Sequence, residues 1–167
     1  MDSHRQNFHE KSEAAINKQI NIQLYASYIY LRMAYHFDRG NIALPGFSKF
    51  FKGLSDEERA HAEELIKYQN LRGGLVVIDD IKAPMDEWIT PNNALEEAFN
   101  LKKKVNDAIL NLDGIANSHQ DPHLHDFLTK RFLREQVESI KKISNLITNA
   151  KRCGEGLGLY QFDKLTM

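Results

Sequence analysis

The stretch LSDEERAHAEELIKY, from Leu54 to Tyr68, decides how this chain is read. It is crowded with carboxylates (Asp56, Glu57, Glu58, Glu63 and Glu64), yet it keeps the rhythm of a helix. Steps of three and four residues from Phe47 give Phe51, Leu54, Glu58, His61, Leu65 and Tyr68 on one face. Glu58 and His61 therefore fall on the apolar seam, whereas Glu57, Glu63 and Glu64 fall off it. A carboxylate on a buried seam needs a partner, because burying it alone costs several kcal/mol or forces protonation.

The same phasing extends outward to three more segments. One runs roughly from His9 to Asp38, with Ile16, Ile20, Gln23, Ser27, Tyr30, Ala34 and Phe37 on its seam, and DRGN closes it with a glycine. The second helix, containing the opening stretch, starts near Pro45 and ends at Gly73–Gly74. A third begins after ITPNN, with Asn92 or Asn93 as cap. It runs to about Ser118 with Leu95, Ala98, Lys102, Val105, Ile109 and Leu112 inward. A fourth starts at QDPH, with Asp121 as cap and Pro122 in the first turn. It runs to about Arg152, burying Leu133, Gln136, Ile140, Ile143 and Ile147. A short fifth helix is expected from about Leu159.

Connection lengths set the topology. The first-to-second and third-to-fourth links are short, so each pair forms an antiparallel hairpin. Residues 75–91 can span over ~50 Å at ~3.3 Å each, longer than a ~28-residue helix. They can therefore cross the bundle and leave the second and third helices parallel. Their opening, LVVID, reads as an extended segment suited to pairing with a second chain. The expected architecture is all-α, a single domain over residues 1–167: a four-helix bundle with a long crossover between helices two and three.

Composition narrows the function. The chain of 167 residues carries 22 Lys+Arg against 23 Asp+Glu, without the basic excess of a dedicated nucleic-acid binder. The polar start MDSHRQNFHEKSEAA offers neither a signal peptide nor a membrane span, so a cytoplasmic protein is expected. The single Cys153 cannot form an internal disulfide, and nothing arranges it as a nucleophile.

Glu-x-x-His inside a four-helix bundle is the half-site of di-iron carboxylate proteins, and its oxygen–nitrogen pair suits iron, manganese or zinc. The competing reading is a buried polar network without metal. A dinuclear centre draws carboxylates from several helices, but here the other seams offer Gln23, Tyr30, Lys102 and Gln136. Lys102 could pair with Glu58, or extend outward to solvent along its stem.

SEAAINKQINIQLYASYIYLRMAYHFDR, DEERAHAEELIKYQNLRGG, DPHLHDFLTKRFLREQV and LYQFDKLTM together resemble the eukaryotic ferritin family over nearly the whole chain, from about Phe8 to Met167. The resemblance implies a ferritin-like bundle with a short fifth helix. It also implies a shell of twenty-four subunits, alone or co-assembled with other ferritin chains, that stores iron as a ferric mineral. In ferroxidase-competent heavy-type chains, the site residues match Glu58, His61, Glu57, Tyr30 and Gln136. Two positions depart. A first-helix glutamate is Gln23 in IQLYASY, and a third-helix glutamate is Lys102 in LKKKVN. Oxidising two ferrous ions raises positive charge in the site, which anionic ligands stabilise and an ammonium opposes. The resemblance therefore implies iron storage, with ferroxidation weakened or lost. The alternatives are an active ferroxidase with a modified di-iron or mono-iron site, and a structural subunit that co-assembles with active chains.

Three further regions are singled out. SHQDPHLHD groups His119, Asp121, His123, His125 and Asp126; spacing alone favours Asp121 as a cap with the rest solvated. The resemblance places Asp113, His125, Asp126 and Thr129 along a three-fold channel, with divalent cations expected at Asp126 together with His125. Thr129 stands where the family has a glutamate. Glu57, Glu63 and Asp56 match cavity-facing acids that nucleate mineral, or form a solvated face, with Ala60 neutral at one such position. The terminal LGLYQFDKLTM fits a helix at a four-fold axis, with Leu157 and Leu165 apolar and Gln161 polar.

Overall fold

The computed structural model describes residues 2–85 and 90–167. Its long helices are α1 (Glu10–Phe37), α2 (Pro45–Leu71) and α3 (Pro91–Ser118). A fourth rod is built from α4 (Pro122–Leu128), a π-helical turn (Thr129–Leu133) and α5 (Arg134–Cys153), and a short α6 (Leu157–Leu165) comes last. No strand occurs among the described residues.

Contacts between helices fix their directions. Ser27 meets Ser55, and Phe37 meets Phe47, so α1 and α2 are antiparallel. Tyr30 reaches the carbonyl of Ala98, and His9 stacks on His119, so α1 and α3 are antiparallel too. α2 and α3 are therefore parallel, as the crossover length predicts. His61 lies by Glu135 and Tyr68 by His123, which runs the fourth rod against α2.

Capping explains where the helices begin. The His9 side chain accepts from Lys11 N at the start of α1, and Glu10 and Glu13 place negative charge in its first turn. Thr90, not Asn92 or Asn93, caps α3: its hydroxyl accepts from Asn93 N at 3.1 Å. Pro91 is suited to the first helical position, so the cap has to be the residue before it. Asp121 caps α4 as expected, accepting from Leu124 N at 3.1 Å. The glycine of DRGN does not reverse the chain after α1. The left-handed residue of that turn is Ala43, with φ 52°, and Leu44 N donates to Phe37 O.

α2 receives its cap from elsewhere. Leu44 precedes it with no side-chain cap, and no acid lies in its first turn. Instead Asp163 of α6, itself 5% exposed, accepts from Phe47 N at 2.8 Å. A side chain at Gly46 would collide with the Asp163 carbonyl oxygen, so glycine is what lets α6 dock. Phe162 completes the contact against Phe47.

The seams of α1, α2 and α3 are buried at every expected position. Each fully buried Ile, Leu or Phe contributes about 1.5–3 kcal/mol. The fourth rod differs. Phe132 is buried while Leu133, Ile140 and Ile147 are only half-buried. A π turn holds an extra residue, so Leu124, Leu128, Phe132 and Gln136 line up at steps of four. In mid-bundle, Ser27 and Ser55 each donate to the other's carbonyl, at 2.9 and 2.8 Å, and hold α1 against α2.

LVVID forms no strand; it is a strap laid along α1. Asn17 donates to Leu75 O and accepts from Val77 N, Asn21 donates to Asp80 O, and Glu13 accepts from Leu75 N. Leu75, Val77 and Ile78 point outward. Residues 86–89 of the expected crossover lie outside the described residues. At the same end of the bundle, Arg72 binds Asp121, the Tyr68 hydroxyl and the carbonyls of Gln6 and Asn7. It also stacks on Phe8 and so pins the N-terminal arm.

Candidate metal centre in the bundle core

Glu58 and His61 share one face of α2 because they are three residues apart. Both lie inside the bundle, with side chains 0% and 9% exposed. Across from them α3 brings Lys102, whose side chain is 1% exposed. Its ammonium donates to Glu58 Oε1 at 2.7 Å. Of the two courses open to that long side chain, the inward one is taken. Nζ also lies 5.9 Å from the centroid of the Tyr30 ring.

The second carboxylate oxygen faces the imidazole. His61 Nδ1 stands 3.7 Å from Glu58 Oε2, too long for a hydrogen bond. On the other side of the ring, Nε2 meets Glu135 Oε2 at 3.3 Å. Glu135 lies in the first turn of α5, directly after the π turn, and its side chain is half exposed. The centre is thus a chain of charges running from buried Lys102 through Glu58 and His61 to Glu135 at the surface.

This arrangement sets the protonation states. Burial pushes the Glu58 carboxyl up, but His61 and Lys102 together outweigh it and hold the group below its ordinary range. Burial pushes His61 down, yet Glu58 and then Glu135 outweigh it, so its proton is held more tightly than in a free histidine. Burial, with the charges of Glu58 and Glu57, raises Tyr30 well above its ordinary value and keeps the phenol neutral. Its hydroxyl faces Ala98 O at 3.4 Å.

The neutral members of the set are buried and under-bonded. Neither polar atom of the Gln23 side chain has a hydrogen-bond partner among the described residues, nor do Gln136 Oε1, Glu58 Oε2 and His61 Nδ1. Buried polar atoms are ordinarily paired, so these atoms mark where the centre is under-bonded. Glu57 stands outside, exposed, lining a cleft with Phe50, Gly53 and Lys142. Among the described residues, no three His, Cys, Asp or Glu side chains converge as a metal-holding group.

The other expected sites divide. The SHQDPHLHD cluster is dispersed: His119 stacks on His9, Asp121 holds Arg72, His123 meets the Tyr68 hydroxyl, and His125 turns to α3. There His125 Nδ1 lies 2.6 Å from Asp113 Oδ1, so those two expected channel residues do meet. Asp126 instead pairs with Lys130 at 3.1 Å, both well exposed. Glu63 is exposed on α2, while Asp56 is paired with Lys52. Leu157, Gln161 and Leu165 are all exposed on α6.

Glu135 escapes the seam pattern, because it lies one residue off it. A signal for it exists in the run of buried positions at steps of four, Leu124 to Gln136, which marks the π turn and turns Glu135 toward α2. No helix among the described residues is long and apolar enough to cross a membrane.

Residues 13–153 match a ferritin-like domain. The chain is 57% identical over 164 residues to a soma ferritin of Lymnaea stagnalis, covering 98% of this chain and 94% of that protein. It is 50% identical over 164 residues to the ferritin-1 heavy chain of Schistosoma mansoni, covering 98% and 95%. It is equally 50% identical over 167 residues to an oocyte ferritin light chain of Xenopus laevis, covering 98% and 94%. With the bundle, the parallel second and third helices, the docked terminal helix and the Glu58–His61 pair, the chain belongs to the ferritin family.

Proposed function

We propose that this chain is an iron-storage subunit in which fast paired oxidation of ferrous ions is weakened or lost. Iron is its cargo and substrate. The observation that carries this reading is the buried Lys102–Glu58 pair at 2.7 Å. The oxygen that would hold iron already holds an ammonium. Gln23 removes one negative charge and Lys102 removes another while adding a positive one, a change of about three charge units where ferric product needs anionic ligands. At an effective dielectric of ~20, one unit charge at 4 Å is worth ~4 kcal/mol, enough to displace a metal ion.

The subunit's work is then to build the shell and to hold mineral. It does so as a twenty-four-subunit cage of its own or in company with other ferritin chains, in the cytoplasm. The exposed acids Glu57 and Glu63 of α2 would nucleate mineral, with Asp56 less available because Lys52 already engages it. Divalent cations would bind at Asp126 together with His125, because the exposed Lys130–Asp126 pair is worth little and leaves that carboxylate available, while Asp113 lies against His125. Neither nucleic acid nor membrane is a partner in this reading.

A second reading has its own support. Glu58 Oε2, His61 Nδ1 and the carbonyl oxygens of Gln23 and Gln136 have no hydrogen-bond partner among the described residues, and they could take a single ferrous ion once His61 gives up its proton. Stopped-flow oxidation of added ferrous ion separates the two readings. The expected result is slow oxygen use by the unaltered protein and a large gain in the doubly restored Gln23→Glu, Lys102→Glu variant. Rapid oxidation by the unaltered chain, not improved by restoration, overturns the first reading.

A further inference from the structure

A cleft of about 480 Å³ opens between the end of α2 and the fourth rod, well away from α6. That volume lies within the range of small-molecule sites. Its floor is aromatic. Tyr68 and Phe127 stack with centroids 4.2 Å apart and planes 18° from parallel. The Tyr68 ring cannot swing freely, because its hydroxyl is held by His123 Nδ1 at 2.9 Å and by Arg72 at 2.6 Å. Leu71 forms a wall and is 63% exposed, so its side chain is open to an incoming ligand.

The rim carries two cations, Lys67 and Arg131, against one carboxylate, Glu64. Lys67 comes from α2 and has no ion-pair partner among the described residues. Arg131 comes from the π turn, and its nearest carboxylate, Glu64, lies 3.9 Å away with both side chains solvated. Such a pair is worth little and leaves the guanidinium available. A π turn is a common device for redirecting side chains at functional sites. Here it both turns Arg131 to the mouth of the cleft and sets Phe132 against Phe127 behind the floor.

We propose that this cleft binds a small planar aromatic anion. Part-exposed Phe127, held from behind by the buried Tyr68 ring, provides the aromatic surface for an aromatic body, Leu71 covers its edge, and Lys67 and Arg131 meet a carboxylate or sulfonate at the mouth. A purely apolar ligand would leave both cations idle, and a simple inorganic anion would leave Leu71 and Phe127 uncovered.

The probe is 1-pyrenesulfonate, titrated into the assembled protein and followed by fluorescence anisotropy, with neutral pyrene as comparator. The expected result is saturable binding at one site per chain, at least tenfold tighter for the sulfonate than for pyrene. Lys67→Ala with Arg131→Ala should weaken it at least tenfold, and Leu71→Glu should abolish it. Leu31→Gln, a change at an exposed leucine of α1 outside the cleft, should leave it unaltered. All of these side chains are at the surface, and circular dichroism verifies that each variant is folded. Unsaturable uptake, equal affinity for pyrene, insensitivity to the cleft variants, or no binding because a neighbouring subunit covers the cleft each overturn the proposal.

Discussion

Removing the ammonium from Lys102 is the sharpest test of how the core is held together. Lys102→Met keeps the unbranched stem, one atom shorter, and deletes the ammonium with its charge and its hydrogen bond. Both partners are at most 1% exposed, and their atoms are 2.7 Å apart. At an effective dielectric of ~20 the attraction at that distance is about 6 kcal/mol, set against the desolvation of both groups. Deleting one partner leaves a buried carboxylate behind, which typically costs ~3–5 kcal/mol. His61, 3.7 Å from the other oxygen, can take over part of the charge, so the lower end of that range is expected. The double variant Lys102→Met, Glu58→Leu removes both charges and should recover most of the loss, because apolar replacement of a buried pair is often neutral or stabilising. Guanidinium unfolding monitored by circular dichroism measures both changes from the transition midpoints. A single variant within ~1 kcal/mol of the unaltered protein, with a double variant less stable than the single, would refute the view that the two groups depend on each other.

Two other tests address the ends of the molecule. Gly46→Ala should eject α6 from its seat while the bundle stays folded, since the new methyl group would collide with the Asp163 carbonyl. Hydrogen exchange should then show lost protection confined to α6 and the first turn of α2, and unchanged α6 protection would contradict the role given to that contact. Glu13 is held below the ordinary carboxyl value of 4.5, first by the backbone N–H of Leu75, against a smaller effect of burial, and then by Arg5. Because its folded pKa is depressed, its stabilising effect is present above the unfolded value and is lost as pH falls through the lower folded one. Proteolysis of the N-terminal arm and strap should accelerate below about pH 4.5, and Glu13→Gln should show fast cleavage with little pH dependence.

Much of this fold could be read from periodicity, for a physical reason. On α1, α2 and α3 the buried seam is straight, so steps of three and four find Gln23, Glu58, His61 and Lys102 along with their apolar neighbours. The fourth rod breaks that rule within its own length. One extra residue in the Thr129–Leu133 turn rotates the remainder of the rod, exchanging Phe132 for Leu133 and leaving Ile140 and Ile147 half-buried. The direction of Lys102 lay beyond periodicity, since a four-carbon stem can point either way from one backbone position. Only the carboxylate on a neighbouring helix decides it. The cap of α2 was equally hidden, because Asp163 lies over a hundred residues away in sequence.

The strap after α2 has a consequence for how this molecule can vary. Its hydrogen bonds to the side chains of α1 all end on strap backbone among the described residues: Leu75 N and O, Val77 N and Asp80 O. Its route is therefore written in Glu13, Asn17 and Asn21 rather than in its own letters. Leu75, Val77 and Ile78 can drift to other residues, proline excepted where an N–H is needed, without altering the course of the chain. The outer face of the strap is thereby left to answer to whatever packs against it, while the scaffold beneath sets only its path.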